Sequence, residues 1–365
     1  MNEKRELIQK ETTQIIVNNK KGLYHISPRV GKTKIVIDAI KYFSTRNILI
    51  SVPYESLIDN WKREFVKWGE SSLNNVQYIC HSSLDKFSRK GEDFVPDILI
   101  IDEIHLALSF NRLNAIRRFN SERLIGLSGS LGQKHIKLLK ENLGLNVLYE
   151  YSVDESVEDN IIKDYEIHVH KVPLNTTHAY KKRWKNSKQL LTEEQLNLQL
   201  SSEVNEALST RNPIAIRNAS IARAQFLYNI KSKNEKAIQL LNKCTDRCII
   251  FSQLSAVADS ICEHSYHSKS RDNNLELFLE EKIQKLSVVN MADVGITFPN
   301  LNKAIVISMQ SSEDKAIQRI LRTMTLDENH PKARIDIFIS KNTQEEKWCK
   351  NALSSLNQSK IIYHD

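Results

Sequence analysis

Gly22-Leu23-Tyr24-His25-Ile26-Ser27-Pro28-Arg29-Val30-Gly31-Lys32-Thr33 runs an apolar strand into a glycine turn, and Lys32–Phe43 then continues apolar at helical spacing. A strand, a tight turn and a helix in that order aim backbone N–H groups and a helix N-terminus at one point, which makes an anion site. Lys32 would reach the β- and γ-phosphates of a nucleotide as a flexible point charge, and the Thr33 hydroxyl would ligate Mg²⁺. Arg29, Val30 and Gly31 would line the turn around those phosphates. The full phosphate-loop pattern has a further glycine five residues before Gly31, where this chain has Ile26.

A second string complements the first about seventy residues on: Asp97-Ile98-Leu99-Ile100-Ile101-Asp102-Glu103-Ile104-His105. Its apolar centre reads as a buried parallel strand, with two carboxylates at the end. Asp102 would hold Mg²⁺ through water, and Glu103 would orient and deprotonate an attacking water. An acidic pair capping the next helix is the plainer explanation, and the Gly31-Lys32-Thr33 turn upstream favours the nucleotide site over it. The third string, Gln318-Arg319-Ile320-Leu321-Arg322, is placed to offer an arginine to a γ-phosphate. In this order the three describe a motor ATPase using ATP and Mg²⁺.

The rest of the chain frames these strings. Strands are expected at Gly22–Ser27, Asn47–Val52, Asp97–Ile101 and Arg123–Leu127, with helices at Lys32–Phe43 and Ser56–Trp68 between them. That alternation implies a parallel sheet covered on both faces, with its chemistry at the carboxyl ends of the strands. A second α/β set is expected at Arg247–Phe251, Leu286–Asn290, Ala304–Ser308 and Ile335–Ile339. The stretch from Asn175 to Lys243 is polar and reads as connecting helices. Its opening, Tyr180-Lys181-Lys182-Arg183-Trp184-Lys185, mixes bases with aromatics; it reads either as a grip on a nucleic-acid strand or, preferably, as a solvated helix face.

Composition sets the context. A chain of 365 residues, 41% hydrophobic, is long enough for two globular domains. Its charge of +8 suits a nucleic-acid partner, although many soluble proteins are mildly basic. The start, Met1-Asn2-Glu3-Lys4-Arg5, lacks a signal-peptide core, and no run reaches the roughly 18 apolar residues of a membrane span. No membrane association is expected. Five scattered cysteines suit a reducing, cytoplasmic compartment. The Cys244/Cys248 and Cys262/His264/His267 groups lack the paired thiols of a structural zinc site. Abundant Lys and Asn with little Gly hint at an AT-rich, viral genome.

With these strings in place, the chain resembles the superfamily-two helicases and translocases, whose acidic box takes the form Asp-Glu-x-His. The resemblance covers roughly Leu7 to Trp348. It identifies Gln9 with a glutamine that reads adenine. Val52-Pro53-Tyr54-Glu55-Ser56-Leu57, with Trp61 and Glu64, is similar to the family's first nucleic-acid-contact motif, and Ser82-Ser83-Leu84 to a further one. Gly126-Leu127-Ser128-Gly129-Ser130 resembles the motif that couples ATP state to domain movement, with Leu131 where proline is common. Cys248–Gln253 resembles the opening strand of a second RecA-like domain. Met291–Pro299, with Gly295 and Thr297, resembles a segment touching both ATP and nucleic acid. The segment Asp164–Val169 is similar to a crossing between domains in compact Swi–Snf-like and phage-type DNA helicases.

The resemblance implies an α/β fold of two tandem RecA-like domains with parallel sheets, joined by a helical segment. The expected boundaries are residues 1–160, a crossing segment and connector at 161–243, and residues 244–365. Pro53, Ser56, Ser82 and Thr297 would contact nucleic acid, DNA ahead of RNA, and a recruiting protein is open. Gln9, Arg29–Thr33, Asp102, Gly295 and Arg319 would hold nucleotide; Lys32, Glu103, Gln318 and Arg322 would act in hydrolysis. The family's last motif has Gly where this chain has Leu321 and Arg where it has Thr325. Arg322 is the finger in either register, whereas Arg319 is either a second finger or an ion-pair partner. A nucleotide-switched scaffold with weak hydrolysis is the alternative these departures support.

Overall fold

Short β-branched runs that bury both faces must pair with like strands, and the first half of the chain does this with every strand parallel. The computed structural model describes residues 3–43, 47–68, 75–89, 95–177, 180–184, 187–270, 272–289, 298, 300–309, 332–354 and 356–365, with 181–184 and 187–189 as backbone only. The first unit extends to Ile162. Its elements are α1 (Glu3–Asn18), β1 (Lys21–Ile26), α2 (Lys32–Lys41), β2 (Ile48–Val52), α3 (Glu55–Lys67), β3 (Val76–Cys80) and α4 (Leu84–Arg89). They continue with β4 (Ile98–Ile101), α5 (Phe110–Phe119), β5 (Arg123–Ser128), α6 (Gln133–Leu143), β6 (Val147–Tyr151) and α7 (Val153–Glu158).

The six strands lie in the order β3-β2-β4-β5-β1-β6, all parallel. The central strands β2 and β4 are buried along their whole length, as expected where helices cover both faces. Leu23, Leu49, Leu99, Ile101 and Leu124 of the sheet pack with Leu113, Ile116 and Phe119 of α5 and Leu139 of α6. This order brings the loops after β2, β4, β5 and β1 side by side at one edge of the sheet.

The second unit begins at Lys163. It comprises β7 (Asp164–Val172), β8 (Tyr180–Trp184), β9 (Ser187–Leu191), α8 (Glu193–Thr210), α9 (Pro213–Tyr228), α10 (Lys231–Lys243), β10 (Cys248–Ser252), α11 (Ser255–Ile261) and β11 (Ser265–Tyr266). After these come α12 (Asn274–Leu279), β12 (Lys285–Val289), β13 (Lys303–Val306), β14 (Lys332–Ser340), α13 (Gln344–Ala352) and β15 (Ile361–His364). Seven strands form a parallel sheet in the order β11-β12-β10-β13-β14-β7-β15. Val172, Ile250, Ile305 and Phe338 pack against Ala237 and Leu241 of α10 and Val257 and Ile261 of α11.

Two placements differ from the sequence expectations. The crossing segment Asp164–Val169 lies within β7, which pairs with β14 from Asp164↔Lys332 to Val172↔Ser340. That pairing satisfies the backbone along the whole strand, so the helical segment begins inside the second unit instead of between the two. Tyr180–Trp184 is not a helix face either. It pairs antiparallel with Ser187–Leu191, from Tyr180↔Leu191 to Trp184↔Ser187. The helices that follow bury Leu196, Leu200, Phe226 and Leu227 with Leu191 in a small core of their own. Among the described residues no helix is long and apolar enough to cross a membrane.

Candidate nucleotide site

The phosphate turn owes its shape to two backbone positions. Gly31 has φ 104° and Arg29 has φ 68°, both in the left-handed region. Glycine adopts that region without penalty, and at Gly31 a Cβ would also fall 2.6 Å from the Gln9 carboxamide nitrogen. Gly31 is the N-cap of α2 and offers no capping side chain, so the first-turn N–H groups of the helix remain for an incoming anion. The Val30 carbonyl accepts from Gln9 Nε2 at 2.6 Å and from Arg5 Nε at 3.1 Å. These bonds tie α1 to the turn and put Gln9, expected to read adenine, beside the phosphate loop. Burial, and next the Arg5 guanidinium, push Arg29 below its ordinary value. Two crowded guanidinium groups are a setting that an anion relieves.

Lys32 points across to the end of β4. Its Nζ lies 3.2 Å from Glu103 Oε1, and both side chains are largely buried. Glu103 has φ 47°, a strained position for a non-glycine residue at the mouth of a strand. Its second oxygen, Oε2, accepts from the Gly129 backbone N–H at 3.2 Å. A Cβ on Gly129 would stand 2.8 Å from Lys32 Nζ, so glycine there admits the ammonium group. The string Gly126–Ser130 is thereby joined to the acidic box by contact.

Asp102 is fixed twice over. Trp61 Nε1 donates to Asp102 Oδ2 at 3.0 Å, and the Glu103 N–H donates to Oδ1 at 3.0 Å. Burial, and then the neighbouring Glu103 carboxylate, raise the Asp102 carboxyl to about 6 in spite of Lys32. Burial also works to raise Glu103, but Lys32, His105 and the Gly129 amide outweigh it and hold that carboxyl below its usual range. A buried carboxyl raised beside a second carboxylate is an electrostatic setting that a divalent cation would reverse, so Asp102 suits Mg²⁺. Thr33, in the first turn of α2, is the other residue that would hold it.

Several supporting contacts are invisible in the motifs. Ser128 Oγ gives its proton to the Ser130 carbonyl at 3.1 Å, so His105 Nδ1 is the donor in its 2.7 Å bond to Ser128. His25 Nε2 accepts from the Leu131 N–H at 3.3 Å, which leaves Nδ1 to donate to Glu150 at 3.0 Å. The Ser51 hydroxyl meets His81 Nδ1 at 2.8 Å, and burial, ahead of Arg112, lowers His81 to about 4.

The expected nucleic-acid contacts fall at the same edge of the sheet. Pro53 and Ser56 follow β2, and Ser82 follows β3; Val52 and Cys80 are register partners, so the two loops adjoin. Ser56 and Ser82 are exposed. Trp61 lies on α3, which begins just after Pro53 and includes Ser56, and it links that segment to Asp102. Gly295, Thr297, Gln318, Arg319 and Arg322 lie outside the described residues. Among the described residues no three His, Cys, Asp or Glu side chains gather as a metal site, and Cys244 and Cys262 act as packing residues.

The sequence profile described as "Helicase conserved C-terminal domain" matches residues 225–326. "Putative helicase 22" of Sulfolobus islandicus filamentous virus (isolate Iceland/Hveragerdi) is 28% identical over 95 residues, which are 24% of this chain and 17% of the viral protein. The chain resembles superfamily-two helicases. Its fold matches the "ATP-dependent Type ISP restriction-modification enzyme LlaBIII bound to DNA" with a TM-score of 0.62 at 12% identity, over 98% of this chain and 31% of that one. It also matches a variant of S. cerevisiae Dbp5 bound to RNA and ADP BeF3, with a TM-score of 0.58 at 12% identity, over 98% of this chain and 89% of that one. The two parallel sheets are therefore those of tandem RecA-like domains. The chain spans less than a third of the restriction enzyme's length.

Proposed function

We propose that this chain is an ATP-dependent nucleic-acid translocase or helicase, acting on DNA ahead of RNA. The observation that carries the reading is the contact of Lys32, Glu103 and Gly129 beside Asp102, with one residue from each of the turn, the acidic box and the Gly-Leu-Ser-Gly string. In this reading Arg29–Thr33 hold the triphosphate, with Gln9 toward the adenine, while Thr33 and Asp102 hold Mg²⁺. Bound there, Mg²⁺ would neutralise phosphate charge. Lys32 leaves Glu103 for the phosphates, and the released carboxylate orients the attacking water.

The first RecA-like domain would carry this half, and the second would bring Gln318, Arg319 and Arg322 with Gly295 to the γ-phosphate across a cleft. A finger of that kind is worth roughly 10³–10⁵ in rate. Pro53, Ser56, Ser82 and Thr297 would hold the strand through phosphates, with little base preference. The DNA-bound restriction enzyme supports DNA, and Dbp5 bound to RNA supports RNA. The second reading, a nucleotide-switched scaffold, rests on Leu321 and Thr325.

Polynucleotide stimulation of ATP turnover separates the two readings, and Glu103→Gln separates binding from chemistry. It keeps the shape and removes the base, so ATP should bind without turning over and should prolong retention on a polynucleotide. Retention unchanged by ATP, with turnover near that of the unmodified chain, would rule out Glu103 as the water-orienting residue.

A further inference from the structure

The second unit contains a cavity of about 450 Å³ beside the β7–β15 end of its sheet, far along the chain from the phosphate turn. Its floor is a row of rings. Phe338, His170 and His364 are register partners on three adjacent parallel strands, β14, β7 and β15, and so share one face. The His170 ring stacks on Phe338 with centroids 4.7 Å apart and 17° between planes, and on His364 at 4.7 Å and 12°. β15 is the edge strand and His364 is exposed, so the row ends at solvent. His170 is anchored along the same face: its Nε2 donates to Asp336 at 2.8 Å, and Asp336 is fully buried and also held by Arg334.

The opposite wall is the flank of α10. Lys236, Gln239, Leu240 and Lys243 recur at the spacing of one stripe on α10 and line the cavity. The helix buries Ala237 and Leu241 against the sheet, and its exposed flank carries the Lys236 and Lys243 ammonium groups to the cavity margin. Among the described residues neither Lys236 nor Lys243 has an ion-pair partner, whereas Lys171, also on the lining, shares Asp365 with Lys341. The helix itself is held in place, because Lys233 and Glu345 form a fully buried pair at 2.5 Å between α10 and α13. Cations on a pinned helix over a stacked aromatic floor call for a ligand that is anionic at one end and planar at the other.

We propose that this cavity is a second ligand site that takes a nucleotide unit, with its phosphate on Lys236 and Lys243 and its base on the ring row ending at His364. A bare phosphate would use the lysines and leave the rings and most of the volume unfilled. The unit comes either from a free mononucleotide or from a single strand, which offer the same chemistry. The site is independent of the Gly31–Thr33 turn and of the reading of the chain as a motor.

The test uses the full chain with its histidine rings isotopically labelled, and follows ring signals in NMR as thymidine monophosphate, an eight-residue oligothymidylate or inorganic phosphate is added. Saturable shifts of the His170 and His364 signals are expected from at least one thymidine ligand, with inorganic phosphate on the order of tenfold weaker or more. Lys236→Glu/Lys243→Glu should weaken that ligand on the order of tenfold or more while leaving ATP turnover unchanged, so failure here and failure at the phosphate turn are told apart. Response to the monophosphate alone upholds the site as one for free nucleotide; tighter binding of the oligomer upholds it as a strand contact. Should the double variant fold poorly, His364→Ala gives the second reading: the thymidine ligand should fall to the affinity of inorganic phosphate. No histidine shift with either thymidine ligand, equal affinity for inorganic phosphate, or unweakened binding in the double variant would each overturn the proposal.

Discussion

Replacing Asp102 with Asn should stabilise the fold while destroying the proposed hydrolysis. Asp102 is nearly buried, and its carboxyl is raised to about 6 by burial and by Glu103. In the unfolded chain the same group titrates near about 4. A carboxyl raised on folding releases its proton later in the folded chain, so it lowers stability as pH rises from about 4 to about 6, and stability stays lowered above that. Two units at about 1.36 kcal/mol each set the cost at no more than about 3 kcal/mol at neutral pH. Asn removes the charge but can accept only one of the two bonds now made by Trp61 and the Glu103 N–H, a loss of about 1 kcal/mol. Asp102→Asn should therefore gain about 1–2 kcal/mol at pH 7.5 without Mg²⁺. Glu103 has the opposite linkage, being held low, and it is common to both proteins. Urea unfolding of the two proteins in chelator at pH 7.5 and pH 4.5 reads the difference directly. The gain should vanish at the lower pH and shrink when Mg²⁺ is added. A variant less stable at pH 7.5, or a difference the same at both pH values, would refute the electrostatic account of the site.

Trp61→Phe keeps most of the packing and removes the donor to Asp102, so it should cost about 1–3 kcal/mol of stability and raise the Mg²⁺ concentration for half-maximal ATP turnover. An unchanged Mg²⁺ requirement would reduce Trp61 to a packing residue. Gly129→Ala puts a methyl 2.8 Å from Lys32 Nζ, and because that atom ends a flexible chain the ammonium should move and the fold survive. Turnover should fall by about tenfold or more, as for a displaced charge contact, with the melting temperature little changed. A large loss of stability with normal turnover would mean that Gly129 serves the backbone and not Lys32.

The sheet was legible wherever a strand is buried on both faces. β2 and β4 bury every residue, and their apolar runs fall within a residue or two of the expected strands. Strands with less burial carry a weaker signal. β3 buries only Ile79, β6 only Tyr151 and β15 only Ile361, and none of them was expected. β7 mixes Glu and His with its apolar residues, which disguised a central pairing as a linker. The β8–β9 ladder was hidden by Lys and Arg, which are at home on a helix as well as on an exposed strand.

At the site, the residues that touch phosphate or metal follow from turn chemistry and read directly from Gly31-Lys32-Thr33 and Asp102-Glu103. Their supports do not. Trp61 and Asp102 are separated by 41 residues, His105 and Ser128 by 23, and Gln9 and Val30 by 21. Such pairs depend on which strand ends the sheet order sets side by side, and only that order brings Gly129 between Lys32 and Glu103.

The central claim is that these side chains form a nucleotide-hydrolysing centre answering to nucleic acid, and steady-state ATP turnover with and without single-stranded DNA tests it most directly. The unmodified chain should hydrolyse ATP in the presence of Mg²⁺, faster with polynucleotide, and Lys32→Ala should abolish both rates with its circular dichroism unchanged. Turnover in Lys32→Ala equal to that of the unmodified chain, or no hydrolysis by the unmodified chain under either condition, would contradict it.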